Sequence, residues 1–193
     1  MMRRLLILFL LLVPVCAFAQ VDVSASVLGQ FPEDTTSNGV ASNGGITAGV
    51  LAGVRRYKAP WLGYELTYAF DNANYSYSNA AGTFASVKAP QNTFTGDYVV
   101  NIPVPIVGLR PFGLAGAGFT HYTPQSGSTA GSESSTKPLF CYGVGLDYKV
   151  LPLVGMRFQY RALVYESPTF GLSGPSGSAS TTKEPSVGVF VSF

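Results

Sequence analysis

From Val21 to the terminal Phe193, bulky apolar side chains and small or polar ones alternate with period two, stretch after stretch. Only an extended strand turns that period into two chemically different faces. The alternation is anchored to three near-copies of one tetrapeptide: PWLG at Pro60 to Gly63, PIVG at Pro105 to Gly108 and PLVG at Pro152 to Gly155, with starts 45 and 47 residues apart. Repetition at that interval asks for one supersecondary unit used three times.

After the first copy, Tyr64, Leu66, Tyr68 and Phe70 share one phase, and Glu65, Thr67, Ala69 and Asp71 share the other. Before it, Ala48, Val50, Ala52 and Val54 alternate with Gly49, Leu51, Gly53 and Arg55. Around the third copy, Tyr142, Val144, Leu146 and Tyr148, then Met156, Phe158, Tyr160, Ala162 and Val164, oppose Cys141, Gly143, Gly145, Asp147, Arg157, Gln159 and Arg161. Val21, Val23, Ala25 and Val27 open the pattern, and Val187, Val189, Val191 and Phe193 close it. With one strand ending near Asn101 and another beginning near Arg110, eight strands are predicted, each about the 9 to 11 residues that a tilted membrane strand needs.

Which face is apolar decides the environment. A soluble sandwich or lipocalin-like barrel would point its large apolar residues inward and carry lysine and glutamate outside. Here the polar phase is mostly glycine, alanine, serine and threonine with a few charges, which fits the narrow interior of an eight-stranded barrel, while valines and aromatics fit lipid. A charge near the bilayer centre on the lipid face costs about 2–4 kcal/mol, and the clear strand positions of that phase carry none. No segment after residue 20 approaches the 18 apolar residues of a membrane helix, so membrane entry must be by strands.

The first residues, MMRRLLILFLLLVPVCAFAQ, order two arginines, an apolar run from Leu5 to Val15 and Ala17-Phe18-Ala19. That is the layout of a secretory signal, residues 1–19, which leaves a single domain at residues 20–193. The apolar run is too short to span a bilayer. Without Arg3 and Arg4, ten basic residues face ten acidic ones, a balance that gives no sign of nucleic acid. Cys141 is then the only cysteine, and with His121 as the only histidine no soft-ligand metal site is expected; no cofactor is implied.

Arg55 and Glu65 flank the first turn ten residues apart, and Asp147 and Arg157 flank the third at the same separation with the signs reversed. In a tight antiparallel hairpin such residues lie side by side on one face, so interior ion pairs near the turn end are expected, joined by Asp97, Lys149 and Arg161. Their reading is structural, since a narrow lumen must fill itself with mutually satisfied polar groups. Trp61 with Tyr57, Tyr64, Tyr148 and Tyr160 is expected to form part of an interfacial aromatic girdle. In the middle hairpin, NIPVPIVGLRPF predicts a bulge or shifted register near Pro111 and leaves the facing of Arg110 and Phe112 open.

The other connections, EDTTSNGVASNGG, NAAGTFASVKAPQN, PQSGSTAGSESSTK and SPTFGLSGPSGSASTTK, are rich in Gly, Ser, Thr and Asn and read as flexible, solvated loops. FPED at Phe31 to Asp34 and KEP at Lys183 to Pro185 read as loop margins. Three short apolar turns and four long polar loops are the asymmetry of an up-and-down outer-membrane barrel, with the P-x-x-G copies on the periplasmic side.

On these features the chain resembles the small bacterial outer-membrane β-barrel proteins, the type of the OmpA transmembrane domain and its eight-stranded relatives. The pattern covers residues 20 to 193. Two elements are more specific: the ending VGVFVSF, and RPFGLAGAGFTHY at Arg110 to Tyr122, which is similar to the family's glycine-rich strand. The resemblance implies placement in the outer membrane in contact with its lipid, and a final strand ending at Phe193 that the barrel-assembly machinery recognises. The chain stops at that strand, so no peptidoglycan-binding domain is implied.

Three functional readings follow. The first is a non-enzymatic barrel with a polar, plugged lumen and four long surface loops. The second is a narrow channel for ions or small solutes, its path lined by Glu65, Asp97 and Arg161. The third is a lipid-modifying barrel enzyme using His121, against which no Ser, Asp or Glu stands in a recognisable motif with that histidine.

Overall fold

The computed structural model describes residues 20–37, 39–105, 108–125, 133–168, 170–171 and 178–193. The expected signal peptide, residues 1–19, lies outside them, as do Ile106 and Val107 of the second P-x-x-G copy and residues 126–132, 169 and 172–177 of the third and fourth polar connections. Ten strands are present: β1 (Val21–Pro32), β2 (Thr35–Ser37), β3 (Val40–Gly44), β4 (Thr47–Ala59), β5 (Leu62–Asn79), β6 (Gly82–Asn101), β7 (Leu109–Tyr122), β8 (Ser135–Lys149), β9 (Val154–Glu166) and β10 (Ala179–Ser192). All except β2 and β3 form one closed antiparallel ring in the order β1-β4-β5-β6-β7-β8-β9-β10. This is the expected eight-stranded up-and-down barrel.

The ring closes between the first and last strands, where Asp22 stands opposite Ser192, and Val21 and Phe193 exchange backbone hydrogen bonds of 3.2 and 2.8 Å. Closure leaves no free sheet edge within a membrane, where an unpaired backbone group costs several kcal/mol. Pro60 and Trp61 form a two-residue turn between Ala59 and Leu62, and Val150 to Leu153 turn the chain from β8 into β9. At the opposite end the β5–β6 hairpin runs on to Asn79 and Gly82, with only Ala80 and Ala81 between them.

Alternation sorts the faces. Val23, Val27, Val50, Val54, Leu66, Phe94, Phe140, Val144, Phe158 and Val189 are exposed on the outer wall, whereas Arg55, Glu65, Asp147, Arg157 and Arg161 are fully buried inside. On β5 the outward residues change from Tyr64, Leu66, Tyr68 and Phe70 to Asn72, Asn74, Ser76 and Ser78. The apolar band therefore ends just above Phe70, and the strand continues beyond the lipid.

That extension corrects the loop expectation. All four polar segments contain strand residues: β2 and β3 lie within EDTTSNGVASNGG, β6 runs through most of NAAGTFASVKAPQN, β8 begins at Ser135 within PQSGSTAGSESSTK, and β10 begins at Ala179 within SPTFGLSGPSGSASTTK. Above the membrane the outward phase faces water, so the contrast that marks a strand in lipid disappears from the sequence while the pairing persists. The KEP segment is likewise not a loop margin, because Lys183 to Pro185 lie inside β10 with Glu184 buried, and Phe31 and Pro32 of FPED belong to β1. The β1–β10 ladder breaks between Leu28↔Ser186 and Phe31↔Lys183, so the N–H that Pro185 lacks falls in the gap.

Nor is there a register shift at Pro111. Its carbonyl accepts from the Ile102 N–H at 2.8 Å, just past the last β6–β7 pair Asn101↔Phe112, so its missing donor coincides with the end of the ladder. Arg110 and Phe112 both face inward. Register shifts occur instead between Tyr57 and Ala59 and between Tyr77 and Ser78. Tyr57 is not part of the outer girdle: it shares the phase of Arg55 and is buried in the lumen.

Candidate functional site

The lumen holds the unusual chemistry, in three layers. In the lowest layer, hairpin register brings Arg55 opposite Glu65 and Asp147 opposite Arg157. Arg55 Nη2 lies 2.9 Å from Glu65 Oε2, and Arg157 Nε lies 2.7 Å from Asp147 Oδ1. The two hairpins then meet across the barrel: Arg55 Nη1 donates to Asp147 at 3.1 Å and Arg157 Nη1 to Glu65 at 2.6 Å. Each guanidinium thus spans both carboxylates, forming a closed square of four charges. Arg110 adds a bridge from Asp22 (2.6 Å) to Asp147 (3.1 Å).

Aromatic rings complete this layer. The Arg55 guanidinium lies 4.0 Å above the Phe112 ring centre, and Arg157 lies 5.4 Å from the Phe190 ring centre, within cation–π range. Arg110 stacks at 4.7 Å on Tyr57, whose hydroxyl donates to Asp22 at 3.1 Å. Glycine in the wall makes this possible: a Cβ on Gly145 would overlap the Phe112 ring, and one on Gly155 would overlap Phe190. Gly145 and Gly155 are therefore space for rings, and the rings are the support for the guanidiniums.

In the middle layer Arg161 pairs with Glu184 through Nε and Nη2 and donates from Nη1 to Thr67 at 2.8 Å. Gln30 donates to the other oxygen of Glu184 at 3.3 Å. Thr67 and Thr95 share a 2.7 Å hydrogen bond, and Thr93 donates to Thr120 at 3.0 Å. Asp97 accepts from Thr95 at 2.6 Å and Asp71 from Thr47 at 2.8 Å.

The upper layer is aromatic. Tyr75, Tyr77, Tyr122, Tyr165 and Phe170 are all buried, and the Phe170 ring centre lies 5.8 Å from that of Tyr75, 6.5 Å from Tyr77 and 5.7 Å from Tyr122. The Tyr75 hydroxyl lies 3.3 Å from the hydroxyls of both Tyr122 and Tyr165. Among the described residues Phe170 is the one non-glycine with positive φ, 52°, followed by Gly171 at 75°. That conformation is disfavoured for a bulky side chain and persists because the surroundings hold it. Tyr77 donates to the Pro168 carbonyl at 2.6 Å, and the Glu133 N–H donates to the Phe170 carbonyl at 3.1 Å. Burial pushes the Tyr75 and Tyr77 phenols, which stand above the lipid band, higher than ordinary phenols, so they act as neutral hydrogen-bonding groups.

Of the residues singled out from sequence, Arg55, Glu65, Asp147 and Arg157 meet in one cluster, while three do not join it. Arg161 is higher and pairs with Glu184; Asp97 stands opposite Glu65 in register but forms no ion pair; Lys149 lines a cavity of about 490 Å³ at the lower mouth with Trp61, Asn101 and Arg110. Trp61, Tyr64, Tyr148 and Tyr160 are exposed on the outer wall, Tyr160 farther from the turns than the others. His121 makes a 2.7 Å hydrogen bond to Thr136 on the outer wall. Phe193 is exposed beside Val21.

Sequence reasoning missed Asp22, Arg110 and Glu184, and the whole tyrosine layer. A signal was present: Tyr75 and Tyr77 continue the phase of Glu65 and Asp71, Tyr165 continues that of Arg157 and Arg161, and Asp22 and Glu184 sit on the polar phases of their strands.

A family model described as the outer membrane protein beta-barrel domain matches residues 5–193. Among solved structures, the chain is similar to the outer membrane protein OprG from Pseudomonas aeruginosa, with TM-score 0.62 and 14% identity over 91% of this chain and 96% of that one. It is also similar to Ail, the attachment invasion locus protein of Yersinia pestis, with TM-score 0.54 and 15% identity over 91% and 99% of the two chains. Neisserial surface protein A gives TM-score 0.53 and 16% identity over 91% and 97%. At these identities the likeness is one of fold. No curated protein matches the sequence significantly.

Proposed function

The chain belongs to the outer membrane protein beta-barrel domain family, and on that premise we propose that it is a non-enzymatic barrel whose lumen is closed at two levels and whose activity resides in the segments it presents outside the cell. It is a protein of the bacterial outer membrane. The reading rests chiefly on the cross-barrel square of Arg55, Glu65, Asp147 and Arg157, whose members come from opposite walls and are all within 1% of complete burial. Breaking one partner of such a cluster leaves an uncompensated buried charge, which costs about 3–5 kcal/mol, so the square acts as a fixed plug. The aromatic layer around Phe170 supports a second closure at the outer end.

The outer wall meets lipid through its valines and aromatics, and the final strand with exposed Phe193 serves as the recognition element for the barrel-assembly machinery. His121, on the outer wall with Thr136 as its partner, is a rim residue in this reading.

The test is ion conductance of the mature protein in a planar bilayer, with folding checked by the mobility difference between unheated and boiled samples. Silence from an inserted barrel is the expected result. Discrete, reproducible steps would replace this reading with that of a narrow channel.

A further inference from the structure

The charges inside the barrel do not balance. Four guanidiniums, Arg55, Arg110, Arg157 and Arg161, face six buried carboxylates, Asp22, Glu65, Asp71, Asp97, Asp147 and Glu184. The other described charged side chains stand on the outer wall, in the extension or at the rims, where Lys137 pairs with Glu166 and Lys183 with Glu33. Asp22, Glu65, Asp147 and Glu184 each have an arginine partner within 3.0 Å. Asp71 and Asp97 have none among the described residues.

Among the buried carboxylates, hydrogen bonding singles out the same two independently. Asp71 Oδ2 accepts from Thr47 and Asp97 Oδ2 from Thr95, but Oδ1 of each is buried with no partner. Asp71 is 1% exposed and Asp97 is 3% exposed, so bulk water does not neutralise them. The charge facing Asp71 is Glu184, a like charge already engaged by Arg161 and Gln30; those facing Asp97 are Glu65, committed to Arg55 and Arg157, and Arg161, committed to Glu184, with the Cys141 thiol nearby. A buried carboxylate left so must either take up a proton or be matched by a cation.

We propose that the lumen binds small monovalent cations, of the sodium and potassium class, at Asp71 and at Asp97. The donor chemistry selects the class. Each position offers one carboxylate and neutral hydroxyl oxygens, Thr47 at Asp71 and the Thr67–Thr95 pair at Asp97. Hard cations take oxygen ligands, and the divalent ones take six or more, with magnesium keeping several waters for which a lumen nearly filled by side chains leaves little room. No group of three or more acidic, histidine or cysteine side chains that would hold a metal ion occurs among the described residues. The sites lie between the arginine layer and the tyrosine layer, and the inference holds whether or not the lumen conducts.

The experiment compares the thermal unfolding midpoint of the refolded mature protein at pH 8 in sodium or potassium chloride with that in N-methylglucamine chloride at equal ionic strength. N-methylglucamine is too bulky for an eight-stranded interior that side chains nearly fill. Sodium or potassium is expected to raise the midpoint by about 2–4 °C. Asp71→Asn and Asp97→Asn are each expected to lose part of that shift and the double variant all of it, while Glu33→Gln, on an exposed pair, keeps it. Absence of the shift in the wild-type protein, or its survival in the double variant, overturns the proposal. The wild-type protein alone gives a second test that does not depend on the variants folding: the infrared band of a protonated carboxyl group in N-methylglucamine should disappear on adding sodium. A band that persists would mean that protons, not metal cations, neutralise the two aspartates, and the proposal would fall.

Discussion

The lower and upper ends of the same lumen are closed by opposite chemistries. Below, three arginines and three carboxylates interlock over Phe112 and Phe190; above, Phe170 packs among Tyr75, Tyr77 and Tyr122, and Tyr165 joins through its hydroxyl, with no charge among them. The lower layer is made entirely of strand residues set by tight hairpins, whereas the upper one depends on Phe170, delivered from the β9–β10 connection in a conformation its own backbone disfavours. The difference shows where rigidity is built. A charge square tolerates no missing member, while an aromatic lid can lose one ring and leave its neighbours hydrogen-bonded.

Breaking the lower layer should therefore cost most. Arg157→Ala removes the partner of both Asp147 and Glu65, and a loss of about 3–5 kcal/mol is expected in urea unfolding of the vesicle-inserted barrel. Unchanged stability there would remove the basis for calling the square a plug. Phe170→Ala should cost about 1–3 kcal/mol, less than a typical core phenylalanine because the backbone strain is released along with the ring. The same variant should speed labelling of the buried Cys141 by a small thiol reagent added from outside; equal rates would mean that Phe170 does not close the upper lumen.

Removing a single phenol sharpens the contrast. Tyr77→Phe deletes the hydroxyl that donates to the Pro168 carbonyl and also interacts with Ser42, and about 0.5–1.5 kcal/mol is expected from denaturant titration, with no change in conductance. Smallest of all, Lys183→Gln breaks an exposed pair with Glu33 and should leave the unfolding midpoint almost unchanged, with any small shift erased by added salt. The lower square, being desolvated, should keep its stabilising effect at the same salt concentration. A strongly salt-sensitive Arg157→Ala deficit would mean that water reaches the square.

The amino-acid sequence alone determined the barrel, its strand number and the two intra-hairpin ion pairs. Period two decides which side chains share a face, and a short turn between Arg55 and Glu65, or between Asp147 and Arg157, leaves only one register in which they can meet. It did not reveal that the upper polar segments are strands, because above Phe70 the outward positions face water and the apolar contrast vanishes. Which residues meet across the lumen was decided by tertiary structure. Arg157 reaches Glu65 over 92 residues of chain, Gln30 reaches Glu184 over 154, and Asp97, hydrogen-bonded to Thr95, is left without an arginine among the described residues although it carries the same charge as Glu65 opposite it. Strand tilt and closure set those distances, and they are properties of the closed ring that no local pattern contains.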